Sequence, residues 1–274
     1  WTGGVSPFDI AWSGPSSGTT IGVTSPHTIT PLAPGLYSIT VTDASASTAI
    51  TSATVLGQPI TNMTTSTTYA TIQDAVAASN DNDVIKVCAG TYSISSNLNV
   101  TKAITLQGAN SGVCYSGSRG AESIIEITGT GRLTLLNAGL GVVIDGFKFN
   151  VTGTPVNNSV IIAQSGPAYV RNNIFDGNNQ HPVAGTTYRS AQFSSGALIT
   201  PKIYECNQTT GFQTAILCDG SSAGIVIQNN RLASNTTNAI QVGNMPGGIQ
   251  VLNNIIEANL QVGIVLVGSN SLIQ

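Results

Sequence analysis

Apolar residues stand at alternate positions over much of this chain, and in its last third that alternation recurs on a fixed interval. Ile225 and Ile227, Ile240 and Val242, and Ile264 and Leu266 each lie two residues apart, the period of a strand. Ile216, Ile240 and Ile264 are spaced by 24 residues and follow Ala215, Ala239 and Gly263. The pair Asn229-Asn230 returns as Asn253-Asn254, and Gly224-Ile225 as Gly248-Ile249, at the same interval. A repeat of this size cannot bury its apolar face alone and must stack on its neighbours. Short strands bent at Gly and Asn, with no helical pattern between them, predict one coil of a parallel β-helix per repeat.

The asparagines then have a structural task. An inward Asn at the same turn of successive coils bonds its amide to the backbone above and below, so turn groups are not left buried and unpaired. Read backwards, the slot passes through Asn254, Asn230, Asn207 and Asn173, and one coil earlier it holds Phe147, at intervals of 24, 23, 34 and 26. Coils are expected at 84–110, 123–150, 160–176, 198–207, 214–233 and 238–257, with a partial coil from 262. Excess residues leave as insertions at 110–122, with Cys114, Tyr115 and Arg119, and at 177–197. The second carries His181, Tyr188, Arg189 and Phe193 and is the candidate binding loop, the alternative being a loop packed over a sheet.

Upstream of the coils, Thr71 to Ser79 reads as one amphipathic helix. Thr71 is its N-cap, Asp74 completes a capping box, and Ile72, Ala75 and Val76 share a face. Such a helix covers the apolar end of a first coil. Residues 58–68 read as a Thr-rich linker. Residues 1–57 read as a small β module, with alternation over Phe8–Trp12 and Leu36–Asp43 and with Pro and Gly turns between. Pro34-Gly35-Leu36-Tyr37 has the form of a tyrosine corner of an immunoglobulin-like sandwich. The expected fold class is therefore all-β: a small immunoglobulin-like β-sandwich, then a parallel β-helix with an N-terminal capping α-helix.

Two stretches resemble known families. Tyr69-Ala-Thr-Ile-Gln-Asp-Ala-Val, followed by Asp83-Val-Ile-Lys-Val-Cys-Ala-Gly-Thr-Tyr92, resembles the opening of pectin-lyase-like right-handed parallel β-helices. The Trp-Thr-Gly-Gly-Val-Ser-Pro-Phe start, Trp12-Ser13-Gly14, and Pro34 to Asp43 resemble the SprB-type repeat of large secreted surface proteins of gliding and related bacteria. The chain departs from that repeat at Ala44–Ser47, where Gly-Cys is usual. The first resemblance implies a fold shared by lyases, hydrolases, tailspikes and adhesins. The second implies an extracellular, cell-surface location.

Charge narrows the partners. Charged residues make up 8% of the chain, against about 25% in typical soluble domains, and the net charge is −3. Nucleic acid, which needs clustered Lys and Arg, is not expected, and no apolar run reaches the roughly 18 residues of a membrane span. Polysaccharide and other subunits or domains of a surface assembly are the expected partners. The four cysteines form no CxxC pair. Cys218 falls in a core column, whereas Cys88 and Cys114 flank one coil and form a candidate disulfide if the protein is exported.

Candidate chemistry is sparse. The Asn-Thr-Asp, Gly-His-Gly and Arg-Ile-Lys signatures of the fold's enzymes do not occur. Two places before the Asn slot, Asp145, Arg171 and Glu205 stack in three successive coils. Coils about 4.8 Å apart put the two carboxylates about 10 Å apart, close to the roughly 6.5–9.5 Å of an inverting glycosidase. A ladder of alternating charge is the favoured account of the column, since neighbouring charges of opposite sign pair whether or not they catalyse. Asp81 and Asp83 form either a calcium-binding pair or a plain helix-to-strand turn; no other cofactor or metal is expected. Two readings follow: a structural and adhesive segment of a surface or fibre protein, or a polysaccharide lyase or glycosidase. Trp1 lies inside the sandwich motif and Leu272-Ile273-Gln274 stops before the next expected coil, so a segment of a longer chain or of a stacked filament is anticipated.

Overall fold

Short strands, mostly of three to five residues, turn the larger part of this chain into coils, with left-handed residues at one recurring corner. The computed structural model describes the chain except for residues 15–16, 30–34, 56–59, 137–138, 140, 153–158, 180–187, 195–200, 221–223, 244, 246–248, 267–271 and 274. It divides into two compact units, Trp1–Gln58 and Pro59–Gln274.

In the first unit four strands make one antiparallel sheet, in the order Gly18–Val23, Phe8–Ser13, Gly35–Asp43, Thr48–Val55. Its core consists of Phe8, Ile10 and Tyr37, all under a tenth exposed. The expected sandwich needs two facing sheets, and the described residues supply one. The loop before Tyr37 that would complete a tyrosine corner lies outside the described residues. The turn after the third strand is organised by Asp43, which accepts from the backbone N–H of Val5, Ser45 and Ser47 at 2.9–3.0 Å and from the Ser45 hydroxyl at 2.7 Å.

The second unit is a parallel β-helix. Among the described residues, seven coils each contribute one strand to three sheets. The first sheet runs through Val84–Lys86, Thr105–Gln107, Val142–Asp145, Ala168–Arg171, Lys202–Glu205, Ile225–Gln228 and Ile249–Leu252, and Leu272–Ile273 pairs beyond them. The second sheet runs from Gly90–Ile94 to Ile255–Glu257, and the third from Asn97–Val100 to Val262–Leu266. Pairing between coils is parallel throughout. Side chains that alternate inward interdigitate along the axis. The stack includes Phe149 on Phe175, with ring centroids 4.8 Å apart and planes 6° apart, and Phe175 on Tyr204 at 5.9 Å. All three are essentially unexposed.

Residues 58–68 are not a linker over their described part. Ile60–Asn62 and Thr67–Tyr69 form a hairpin, and Ile60–Asn62 pairs antiparallel with Val84–Lys86, which extends the first sheet to ten strands. Asn62 holds the turn, accepting from Thr64 N at 3.0 Å and donating to Asp83 at 2.7 Å. The helix Ile72–Ala78 lies against this hairpin. Thr71 caps it as the sequence predicts: its hydroxyl accepts from Asp74 N at 3.0 Å and donates to the Asp74 carboxylate at 2.6 Å. Ile72 reaches the end of the axial core beside Ile94, Leu106 and Ile125, so the first coil is covered.

The corner between the first and second sheets repeats in every later coil. A left-handed residue comes first (Gly146, Asn172, Cys206, Asn229, Asn253, with φ between 53° and 83°), and the ladder residue follows. Phe147 N donates to Asn173 Oδ1, Asn173 N to Asn207 Oδ1, Asn207 N to Asn230 Oδ1 and Asn230 N to Asn254 Oδ1, at 2.8–3.0 Å. Each Nδ2 turns back to a carbonyl one coil earlier, of Ile144, Val170, Tyr204 and Ile227. A second ladder stands at the next corner: Phe212 N donates to Asn235 Oδ1 and Asn235 N to Asn259 Oδ1, at 3.1–3.2 Å. Its 24-residue spacing is the same signal that Asn230 and Asn254 carry, here in single asparagines without the preceding Asn.

Candidate functional site

The first sheet places Asp145, Arg171, Glu205, Gln228 and Leu252 in one outward column, each paired in register with the next. Two residues earlier on the same face runs a second column of Val143, Tyr169, Ile203 and Val226, all half-buried. Together they make a polar row beside an apolar row with one aromatic ring, repeated at the spacing of the coils.

Within the polar row the charges pair locally. Arg171 Nε lies 3.1 Å from Asp145 Oδ2; the Arg171 side chain is 41% exposed and that of Asp145 is 3% exposed. Asp145 Oδ1 also accepts from Asn172 Nδ2 at 2.8 Å and from Gly112 N at 3.0 Å. A carboxylate held by three donors and closed off from water is an acceptor with a structural task. Glu205 instead accepts from Gln228 Nε2 at 2.8 Å and stays half-exposed. The column thus joins an anchored acid to an open row of Arg171, Glu205 and Gln228.

What closes over Asp145 is the insertion 110–122, which runs as a strap along the corners of several coils. Gly146 makes its close approach possible: a Cβ there would stand 2.1 Å from Ser111 N, and its φ is 83°. Arg119, 7% exposed, donates to the carbonyls of Val113 and Asn172 at 2.8 and 2.7 Å and forms a two-pronged pair with Glu122 at 2.7 and 2.9 Å. Further along, Tyr115 N donates to the Cys206 carbonyl at 3.2 Å.

The expected binding loop divides differently. His181 lies outside the described residues. Tyr188 is fully buried and stacked on Phe212 at 5.6 Å, and burial pushes its phenol well above the usual range. Phe193 is fully buried, edge-on to Tyr204. Neither has surface to offer a ligand: Phe193 lies on the inward face of the strand Arg189–Phe193, and Tyr188, just before that strand, is held inward by its stacking on Phe212. Arg189 alone faces outward, half-buried. Loss of solvent lowers its pKa against the opposing field of Asp219, whose own carboxyl is raised by burial. Arg189 Nε and Asp219 Oδ1 are buried without hydrogen-bond partners.

The disulfide expected between Cys88 and Cys114 is not formed, and all four cysteines are free thiols. The strap carries Cys114 down the axis, to 3.7 Å from the Cys206 carbonyl oxygen. The oxygens of Asp81 and Asp83 serve a turn: Asp81 Oδ1 accepts from Ala103 N at 2.7 Å, and Asp83 Oδ2 from Asn80 N at 2.9 Å and from Asn62 Nδ2. Among the described residues no three His, Cys, Asp or Glu side chains are grouped as metal ligands, and no helix is long and apolar enough to cross a membrane. In the first unit an apolar concavity of about 590 Å³ is lined by Trp1, Phe8, Ile10, Ile39 and Val41.

No curated protein and no solved structure matches the chain. A family model described as the right handed beta helix region matches residues 123–274, more than half of the sequence. With the parallel coils and the stacked corner ladders already seen, that match makes the chain a member of the right handed beta helix family.

Proposed function

We propose that this protein is a structural and adhesive segment of a secreted bacterial cell-surface or fibre protein, and that it binds polysaccharide along the outer face of its first sheet. The observation that carries the reading is the pair of adjacent rows there: Val143, Tyr169, Ile203 and Val226 beside Arg171, Glu205 and Gln228. An extended polymer needs a surface as regular as itself. Parallel coils supply one in which apolar contact and hydrogen-bonding groups recur at a fixed spacing of about 4.8 Å. The half-buried Tyr169 ring offers a stacking face, and the guanidinium and carboxylate beside it suit hydroxyl or uronate groups. The SprB-like wording of the first unit and the low-charge surface support an extracellular setting.

Calorimetric titration with a panel of neutral and uronic-acid polysaccharides tests this. Saturable binding that Tyr169→Ala weakens at least tenfold, with unchanged melting, is the expected result. Absence of binding to every polymer would overturn the glycan part. A lyase reading draws on the same column, since Arg171 is open and stands beside Glu205. Ultraviolet detection of unsaturated sugar ends during those incubations, abolished by Arg171→Lys, would favour it.

A further inference from the structure

Cys114 and Cys206 are 92 residues apart in sequence, yet the strap brings them together. The Cys114 Sγ stands 3.7 Å from the Cys206 carbonyl oxygen, and the next residue's N–H donates to that same oxygen at 3.2 Å. Both residues are only partly buried. The setting of Cys206 is itself unusual. At the equivalent corner the other coils hold Gly146, Asn172, Asn229 and Asn253, residue types that accept a left-handed backbone, and Cys206 holds φ 54° there without that aptitude. A strained residue in a repeated slot points to a task for its side chain.

We propose that Cys114 and Cys206 form a disulfide that locks the 110–122 strap onto the fifth coil. The oxidant is a low-molecular-weight disulfide such as oxidised glutathione. The Cys114 thiolate attacks one sulfur of that reagent, its S–S bond breaks, and one glutathione thiolate leaves with the bonding pair. The Cys206 thiolate then attacks Sγ of Cys114, and the second glutathione leaves. Two protein thiols are oxidised, one reagent disulfide is reduced to two thiols, and the two protons pass to the departing thiolates. Burial, and then the neighbouring Cys114, push the Cys206 thiol above its ordinary value, so the exchange needs alkaline conditions to run quickly. Cys218 is fully buried in the core. The inference is independent of the adhesive reading, because it concerns only how the strap is fastened.

The test is peptide mapping of the full chain after incubation with oxidised glutathione, acid quenching, denaturation and alkylation of the remaining thiols. Cys206 and Cys218 share the tryptic fragment that follows Lys202, so a second protease cutting after Phe212 separates them. The expected product links Cys114 to Cys206 and leaves Cys88 and Cys218 alkylated, with faster linkage as the pH is raised. Four alkylated cysteines, glutathione adducts that never resolve, or a link to Cys88 would each overturn the proposal. The locking role has its own readout: oxidised wild type should melt higher than reduced, and Cys114→Ser should erase the difference. Equal melting of the two wild-type forms would overturn the lock even if the bond forms.

Discussion

Asn207 Oδ1 receives two hydrogen bonds from Asn173, one coil away: the backbone N–H at 2.9 Å and the side-chain Nδ2 at 3.1 Å. One amide thus closes a turn that is not its own, and the relation repeats from Asn207 to Asn230 and from Asn230 to Asn254. Corners of neighbouring coils are tied by side chains where backbone pairing lapses.

Removing an interior rung therefore leaves a buried backbone N–H without its acceptor. Asn207→Leu should cost on the order of 1–3 kcal/mol. Asn254 is partly exposed, so water can replace its bonds and Asn254→Leu should cost less. Denaturant melts of both variants check the order; equal costs would mean that the ladder's interior has no special weight.

Asp145→Ala removes the acceptor for Arg171, Asn172 and Gly112 together. Arg171 is partly exposed and can be hydrated, whereas Asn172 is buried and Gly112 is the point at which the strap itself is tied to Asp145. A loss of about 2–3 kcal/mol is expected, with faster tryptic cleavage after Arg119. Unchanged cleavage would show that the strap holds without this anchor.

Gly146→Ala should be worse than an ordinary helix or loop substitution. The added Cβ meets Ser111 N at 2.1 Å and must also take a left-handed backbone. A loss of more than about 1 kcal/mol is expected in chemical denaturation. Gly112→Ala is a useful control, because its φ is also positive but nothing lies within 4 Å of its Cβ. The difference between the two isolates the contact with the strap from backbone strain.

The Asp83 carboxyl lies below the usual carboxylate range, chiefly because Asn80 N–H donates to it and then because Asn62 does. A carboxyl with a depressed folded pKa binds protons more readily when unfolded. Its contribution to stability is complete above the unfolded value of about 3.9 and is lost as pH falls from there through the folded value. Wild type should lose stability in that acidic window. Asp83→Asn should flatten the curve there while lowering the plateau at neutral pH. Parallel curves for the two proteins would refute the assignment.

The sequence by itself determined the solenoid, because its evidence is repetitive and local. The 24-residue return of Asn229-Asn230 marks a corner, alternation at Ile225 and Ile227 marks a strand, and Thr71 with Asp74 marks a helix start. Each of these signals acts over a few residues and needs no knowledge of what lies opposite. The register of Asp145, Arg171 and Glu205 followed from counting back from that corner. Tertiary structure decided what depends on distance or on parity. Phe193 lies on the inward face of a strand set by its neighbours in the coils on either side, and Tyr188 packs on Phe212 just before that strand, so an aromatic and basic cluster that reads as a surface loop sends its rings into the core. Strands as short as Ile60–Asn62 and Thr67–Tyr69 carry too few residues to show a period, and only pairing with Val84–Lys86 makes them part of the sheet. Cys114 meets Cys206 and not Cys88 because the strap runs along the axis, where one step to the next coil covers some two dozen residues of chain in about 4.8 Å of space.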